Sequence, residues 1–375
     1  MRVLHIFTNP HLTNGATVFE YRVSSRLKKD NIYFDYLVTE EATEEEKARY
    51  AANGSVLYRL PIDNSHGLLI RELKVNREYY RFFKEHDYKI VYADTENALR
   101  AVHLLMARLA GVRVRVVHSH NTGLQTQSKA SAALAGVIKG LFRCSATHYF
   151  ACSDKAAEWL FPKKIYRNRQ YKLLKNGVSL EEFRFNSQTR SRLRAELGLD
   201  EDAPVLGNVG RFMPQKNHSF MLSCFDRFHR KHSKAKLMLI GDGPLAEEIR
   251  ADVRRRGLED AVLFIGNVKN VSDYLQVMDL FFMPSLFEGL PITGIEAQAN
   301  ALPCLFADTI TKELKLTELA HYLPLEEPEE KWTEKIEELL AAGRKDCTDA
   351  VRSSGYAIEH TVEELKAFYL KESSC

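Results

Sequence analysis

Two carboxylates and two cations carry the chemistry this sequence offers most directly. Seven residues separate Glu288 from Glu296 in Pro284-Ser-Leu-Phe-Glu-Gly-Leu-Pro-Ile-Thr-Gly-Ile-Glu296. The apolar run Leu280–Met283 just before them predicts a buried strand. Pro291–Asn300 predicts a helix, because Pro suits a first turn and Glu-Ala-Gln-Ala are good helix formers. Glu288 then lies on a strand-to-helix loop, and Glu296 about one turn inside the helix. Free backbone N–H groups at such a helix start attract anions, phosphate above all. Carboxylates flanking a phosphate seat must hold something else. Sugar and ribose diols fit, because a carboxylate accepts hydrogen bonds from two hydroxyls. A capping-loop glutamate and a solvated helix glutamate satisfy the same spacing, so the pair alone leaves both readings open.

The cations lie in Gly207-Asn-Val-Gly210-Arg211-Phe-Met-Pro-Gln-Lys216-Asn217, after the strand Val205–Val209 and before a helix. Gly210 permits a tight turn and close backbone approach. Arg211 offers phosphate a planar fork and Lys216 a point charge. Two fixed cations beside a helix start neutralise a departing diphosphate without a metal. The competing reading is two solvated cations on a loop.

Other strand ends carry weaker signals. Val116-Val-His118-Ser-His120-Asn121 puts two histidines on one strand face. No third ligand stands at suitable local spacing, which argues against zinc. A histidine at a strand's carboxyl end lines a ligand cleft, while His118 also suits plain packing. The loop Thr8–Thr17 has small residues around Gly15 and suits close approach to a phosphate or acceptor. It lacks Gly-x-Gly-x-x-Gly, so a dinucleotide fingerprint is absent. Leu263-Phe-Ile-Gly266-Asn-Val268 ends a strand whose backbone could pair with a base edge, or simply turns.

The elements that position these residues alternate short apolar strands with longer amphipathic helices, twice over. Strands are expected at Val3–Phe7, Phe34–Val38, Val56–Leu60, Ile90–Ala93, Val114–His118 and Tyr149–Cys152. In the second half they are expected at Val205–Val209, Leu237–Ile240, Val262–Ile265, Leu280–Met283 and Leu302–Phe306. Helices are expected at Thr17–Lys29, Leu68–Lys84, Ala98–Ala110, Ser219–His232 and Leu245–Arg256. This is the βαβ pattern of parallel sheets covered on both faces, with ligands at the strands' carboxyl ends. At 375 residues the chain calls for two domains. The polar segment Asn186–Asp202 reads as a solvated linker, its Asp-Glu-Asp triplet included.

Residues 1–186 carry 29 Lys and Arg against 19 Asp and Glu, and the remainder 24 against 31. A basic first half suits a phosphate-rich ligand or an anionic membrane. Two stretches could dock on lipid: the basic apolar helix Lys129–Arg143, and Lys163–Lys175, which lacks acidic residues. A core-facing helix followed by a solvated loop fits them equally. Nucleic acid is not indicated, for want of an aromatic-interleaved motif. No run of 18 apolar residues or signal-peptide pattern is found, and the six cysteines form no ligand cluster. A cytoplasmic protein with reduced thiols is expected, peripheral on the inner face of the plasma membrane if the basic surfaces dock there.

Taken in order, these motifs resemble the retaining glycosyltransferases of family 4. The likeness runs along nearly the whole chain. It is strongest in Asn176-Gly-Val178, Gly-Arg-x4-Lys, Ile240-Gly-Asp-Gly-Pro244, Met278–Ser285 and the Glu-x7-Glu pair. Pro303-Cys-Leu-Phe-Ala-Asp-Thr-Ile-Thr resembles bacterial exopolysaccharide and capsule enzymes. The resemblance implies the GT-B fold, two Rossmann-like parallel-sheet domains facing a central cleft. Residues 1–186 would bind the acceptor and 187–355 the donor, with the last helix, about 356–375, packing back on the first domain. Arg211 and Lys216 would hold the donor diphosphate, Glu288 the transferred sugar and Glu296 the ribose. The amides of the segment Leu290, Pro291, Ile292 and Thr293 would cap the distal phosphate, with Gly289 also binding the donor. Gly15, Gly210 and Val268 would line the donor site, and His120, with His118 as competitor, would stand near the anomeric centre. The loop after the first strand departs from the family's paired glycines, reading Gly15-Ala16.

The activity implied is metal-independent transfer with retention, from a nucleotide sugar, UDP-linked by family frequency. The acceptor would be a saccharide or a polyprenyl-diphosphate-linked saccharide, and no cofactor is expected. A nucleotide-sugar epimerase or hydrolase of the same fold, and a non-catalytic glycan-binding protein, are the alternatives.

Overall fold

The computed structural model describes residues 1–7, 9–12, 15–60, 68–95, 98–120 and 129–374. They form two compact units, Met1–Asn176 with Glu359–Cys375, and Gly177–Ile358. The units divide after Asn176, ahead of the break expected at 186. The last helix, Ile358–Ser374, runs almost wholly in the first unit.

The first unit is built on seven parallel strands: β1 (Arg2–Ile6), β2 (Tyr33–Val38), β3 (Leu57–Arg59), β4 (Ile90–Thr95), β5 (Val114–Ser119), β6 (His148–Ala151) and β7 (Lys172–Leu173). Their order is β3-β2-β1-β4-β5-β6-β7. The order reverses direction at β1, so β1 and β4 flank a switch point, where loops diverge and a crevice opens. Six parallel strands form the second sheet: β8 (Val205–Val209), β9 (Lys236–Ile240), β10 (Val262–Gly266), β11 (Leu280–Met283), β12 (Cys304–Ala307) and β13 (Ala320–Leu323). They are ordered β10-β9-β8-β11-β12-β13, with the switch point between β8 and β11. Alternation of side chains distributes the second core. Val205, Met238, Phe281 and Phe306 pack on one face, and Leu206, Leu237, Phe282 and Leu305 on the other. Both faces are covered by helices, so the strands read as unbroken apolar runs. Each such buried side chain contributes about 1.5–3 kcal/mol.

Two short strands went unread. β7 has two exposed residues, and β13 is an edge strand whose His321 and Tyr322 are only partly buried. The segment expected to be a solvated linker is also corrected. Ser187–Glu196 is a helix, capped by the Asn186 side chain, which accepts from Thr189 N–H. Its Arg190 and Arg194 reach inward to the Asp279 carboxylate at 2.8 and 3.4 Å. A planar guanidinium tolerates this burial because carbonyls fill its other donors. The Asp200-Glu201-Asp202 triplet is an exposed turn, as expected.

Candidate active site

The loop after β8 and the loop after β11 are laced together. Gln215 O accepts from Leu286 N–H at 2.8 Å, and Asn217 Nδ2 donates to Pro284 O at 3.1 Å. Asn217 holds a left-handed backbone (φ 56°), which turns the chain into the helix His218–Lys231. Lys216 Nζ is thereby delivered to Glu288 Oε1 at 2.7 Å, both side chains being nearly buried. Gln215 Nε2 donates to the other carboxylate oxygen at 3.0 Å. Glu288 also pairs with Ile310 in a parallel bridge, and Thr309 Oγ1 donates to Ser285 O, so its loop is pinned from the opposite side.

Glycines make the approach close enough. A Cβ on Gly210 would stand 2.7 Å from Lys216 Cε, so the lysine stem lies where a side chain would otherwise be. Gly241 (φ +136°) leaves no room either: a Cβ there would meet Gly210 O at 2.1 Å. The Gly-Asp-Gly turn after β9 therefore buttresses the cationic loop, and Phe212 N–H donates to Asp242 O at 2.9 Å.

Beyond Glu288 the helix Ile292–Ala299 starts at Pro291, with no side chain capping it. Gly294 N–H folds back on Pro291 O at 3.0 Å. Pro291 has no N–H of its own, so the anion seat is limited to its neighbours. Glu296 is buried, 8% exposed, which rules out the solvated-helix reading. Lys216 is likewise no solvated loop cation, whereas Arg211 is exposed. Val268 is half-buried against the core beyond β10, and Gly266 (φ +76°) ends that strand.

In the first unit, polar side chains gather where the strands' carboxyl ends meet the helix Gly15–Leu27. Asp94 on β4 is the register partner of His118 on β5. His120 Nε2 lies 2.7 Å from Asp94 Oδ1, and Asn176 Nδ2 lies 3.4 Å from His120 Nδ1. His118 is fully buried, its Nδ1 taken by the Tyr92 hydroxyl at 2.8 Å. Behind them His5 Nδ1 stands 3.2 Å from Glu20 Oε2 and 3.6 Å from Asp94 Oδ2. Burial works against an ionised Asp94, but His120 and His5 outweigh it and hold the carboxyl well below its usual range. Burial pushes Glu20 up, helped by the Asp94 charge. Burial opposes protonation of His5, yet Glu20 and Asp94 overcome it and raise the ring. His118 is held well below an ordinary histidine by burial and by His120.

The sequence profile of the glycosyl transferases group 1 matches residues 189–353. That of the glycosyl transferase 4-like domain matches residues 21–177. EpsF of Bacillus subtilis (strain 168) is 32% identical over 376 residues, 98% of this chain and 96% of its own. The chain belongs to glycosyltransferase family 4, of the bacterial exopolysaccharide and capsule type. The UDP-Gal:alpha-D-GlcNAc-diphosphoundecaprenol alpha-1,3-galactosyltransferase of Escherichia coli is 25% identical over 244 residues, 64% of this chain and 63% of its own. HepE of Anabaena, solved with UDP and glucose, aligns with a TM-score of 0.78 at 16% identity, covering 98% of this chain and 99% of that one. At that identity the likeness carries the fold, which is GT-B.

Within this glycosyltransferase the second unit brings Gly210, Lys216 and Glu288 together and sets the helix start at 292 just beyond them. The first unit brings His118 and His120 together; the His118 side chain is fully enclosed and that of His120 keeps 6% exposure. Gly15 opens the first helix with nothing within 4 Å of a Cβ position. Thr8, Thr13 and Asn14 of its loop, Asn121, and the side chain of Lys129 lie outside the described residues.

His5, Glu20 and Asp94 were missed. Glu20 did leave a signal: with Val23, Ser24 and Leu27 it occupies the buried stripe of its helix, where an acid is out of place. The basic stretches are only partly free. Lys139 lies over the Trp159 ring, 4.1 Å from its centroid, Arg169 pairs with Asp154, and Lys172 with Glu364. Lys163, Lys164 and Arg167 are exposed. Among the described residues no helix is long and apolar enough to cross a membrane.

Proposed function

We propose that this glycosyltransferase moves a hexosyl or N-acetylhexosaminyl group, with retention, from a UDP-sugar to a saccharide or polyprenyl-diphosphate-linked saccharide. The observation that carries the reading is the Lys216–Glu288 pair, held beside an uncapped helix start. An ammonium has three donors, so Lys216 keeps one on Glu288 and turns the others to a diphosphate. Arg211 adds a second cation, and the N–H groups near Thr293 receive the distal phosphate. Glu288 keeps lone pairs for sugar hydroxyls, and the buried Glu296 suits the ribose diol. Val268 lines the base end, Gly210 makes room for the Lys216 stem that meets the donor, and Gly15 leaves room for close approach. His120 forms the sugar wall of the first unit.

Departure of the diphosphate is then the step to be stabilised, and the two cations do it in place of a metal. The leaving phosphate oxygen takes the acceptor's hydroxyl proton as the new bond forms on the same face. The UDP in HepE and the UDP-Gal and diphosphoundecaprenol in the name of the Escherichia coli relative support donor and acceptor classes. The exposed Lys163, Lys164 and Arg167 suit docking on the inner face of the plasma membrane, near such an acceptor.

A thermal-shift panel of nucleotide sugars with and without EDTA tests the donor. A ligand at 100 times its Kd adds about 2.7 kcal/mol. UDP-sugars should shift the transition equally with EDTA present, and anomeric NMR of the product should show retention. No shift with any UDP-sugar, or turnover lost to EDTA, removes the proposal.

A further inference from the structure

We propose that Asp94 is the positioning residue of His120, fixing the ring as the tautomer protonated on Nε2 so that Nδ1 accepts a hydroxyl of the donor sugar. The proposal rests on the reading of His120 as a wall of the donor-sugar site.

Both ends of the ring give the same answer. A carboxylate only accepts, so Asp94 Oδ1 at 2.7 Å requires a proton on Nε2. An amide nitrogen only donates, so Asn176 Nδ2 at 3.4 Å requires a bare Nδ1. The two contacts are unequal. The Asp94 bond is short and charge-assisted, whereas the Asn176 bond is near the limit of hydrogen-bond length. A ligand hydroxyl therefore displaces Asn176 and leaves Asp94 in place.

The groups behind Asp94 keep it able to accept. Glu20 is buried with its Oε2 3.2 Å from His5 Nδ1, close enough to share a proton. One proton shared by His5 and Glu20 leaves that pair neutral on whichever group it rests. A neutral pair adds no second negative charge next to Asp94. His118 is no rival donor, because its Nδ1 stands 3.7 Å from Asp94 Oδ1 and is taken by Tyr92.

Glu20, Asp94, His118 and His120 each bring a ligand atom within 4.8 Å of the others, so a cation is the competing occupant. The spacing favours the hydrogen bond, and Zn2+ addition tests it. Atoms bound to one tetrahedral ion at ~2.1 Å stand about 3.4 Å apart. His120 Nε2 and Asp94 Oδ1 are at 2.7 Å, the spacing of a shared proton.

The test is two-bond 1H–15N correlation NMR of the full chain, labelled in its histidine rings, at pH 8. His120→Gln assigns the ring by the loss of its signals. The expected spectrum has a protonated Nε2 and a bare Nδ1, with Nδ1 moving on addition of UDP-glucose but not of UDP. In Asp94→Asn both tautomers should appear, and the Kd of UDP-glucose should rise about tenfold, the loss of one hydrogen bond, with that of UDP unchanged. A proton on Nδ1 in the wild type, or an unaltered tautomer in Asp94→Asn, overturns the proposal. So does a stoichiometric shift of the His118 and His120 signals by Zn2+. A wild-type chain that binds neither UDP nor UDP-glucose removes the donor-site reading, whatever the tautomer proves to be.

Discussion

Replacing Lys216 with Met leaves the Glu288 carboxylate, 8% exposed, without the ammonium now 2.7 Å away. Removing one partner of a buried pair costs about 3–5 kcal/mol. Gln215 Nε2 still donates to Oε2 at 3.0 Å and softens the loss, so about 2–3 kcal/mol is expected. The second unit runs from Gly177 to Ile358. For a unit of this size each kcal/mol lowers Tm by about 2–4 °C, giving roughly 4–12 °C by calorimetry. Glu288→Gln strands the lysine and loses less, about 1–2 kcal/mol, because the amide oxygen still accepts. The double variant should be more stable than the sum of the singles by about 1–3 kcal/mol, the coupling of residues in contact. Turnover obeys another arithmetic. Each single change should lower it by about 10²–10³, and the double change little further, because groups acting as a unit are non-additive. Near-normal turnover in either single variant refutes the site. Stabilities that add within about 0.5 kcal/mol refute the pairing.

Gly210→Ala should lose turnover about tenfold or more at a stability cost below that of Lys216→Met, because the flexible Lys216 stem bends aside and loosens its contact with Glu288 without removing the ammonium. Gly241→Ala should instead cost stability, more than about 2 kcal/mol, since its Cβ meets backbone at φ +136°; equal behaviour of the two glycines in activity and denaturant assays refutes the buttress. His218 is buried with neither ring nitrogen hydrogen-bonded among the described residues, and burial, aided by the Lys216 charge, lowers its pKa to about 4. The unfolded ring titrates near 6.5, so its contribution is complete above that pH and is lost as pH falls toward 4, by roughly 2–4 kcal/mol. His218→Phe should remove that much of the difference between urea unfolding at pH 7 and at pH 4, and an unchanged difference counts against the assignment. Changing Lys163, Lys164 and Arg167 to Gln should weaken binding to anionic vesicles by about a hundredfold at low salt, at ~1 kcal/mol per cation; a wild-type chain that ignores such vesicles removes the membrane proposal.

The donor loops were legible because each is local. Gly210 to Lys216 follows one strand and Glu288 to Glu296 another, so spacing within a βα unit was enough to nominate them. Their union was not legible, since Lys216 and Glu288 are brought together only by β8 and β11 becoming neighbours at the switch point. The same limit hid the histidine cluster. His5, Glu20, Asp94 and His120 come from β1, the helix after it, and the ends of β4 and β5, so no sequence window holds two of its acids. It also turned Arg190 and Arg194 into supposed linker residues, because their partner Asp279 lies in another element.

Buried charge in this chain falls into two kinds, and the difference separates scaffold from site. Arg194 and Arg344 are enclosed by acceptors. Their terminal nitrogens donate to carbonyls including Val277, Ala203, Leu275 and Asn300, and only Nε lacks a partner among the described residues. Such satisfied networks close off helix ends and need no ligand to explain them. The Glu20–His5–Asp94–His118 cluster is the opposite. Glu20 Oε1, Asp94 Oδ2 and His118 Nε2 are all buried without hydrogen bonds among the described residues. Stability alone does not select unsatisfied polar atoms, since a buried group left unpaired costs about 1–3 kcal/mol. Their place at the carboxyl ends of β4 and β5, where this architecture receives ligands, gives the cost a reason. Glu20→Leu should therefore change the tautomer balance of His120, over and above the stability lost when His5 is left without its buried partner. A variant that is both destabilised and unaltered at His120 would return Glu20 to the scaffold.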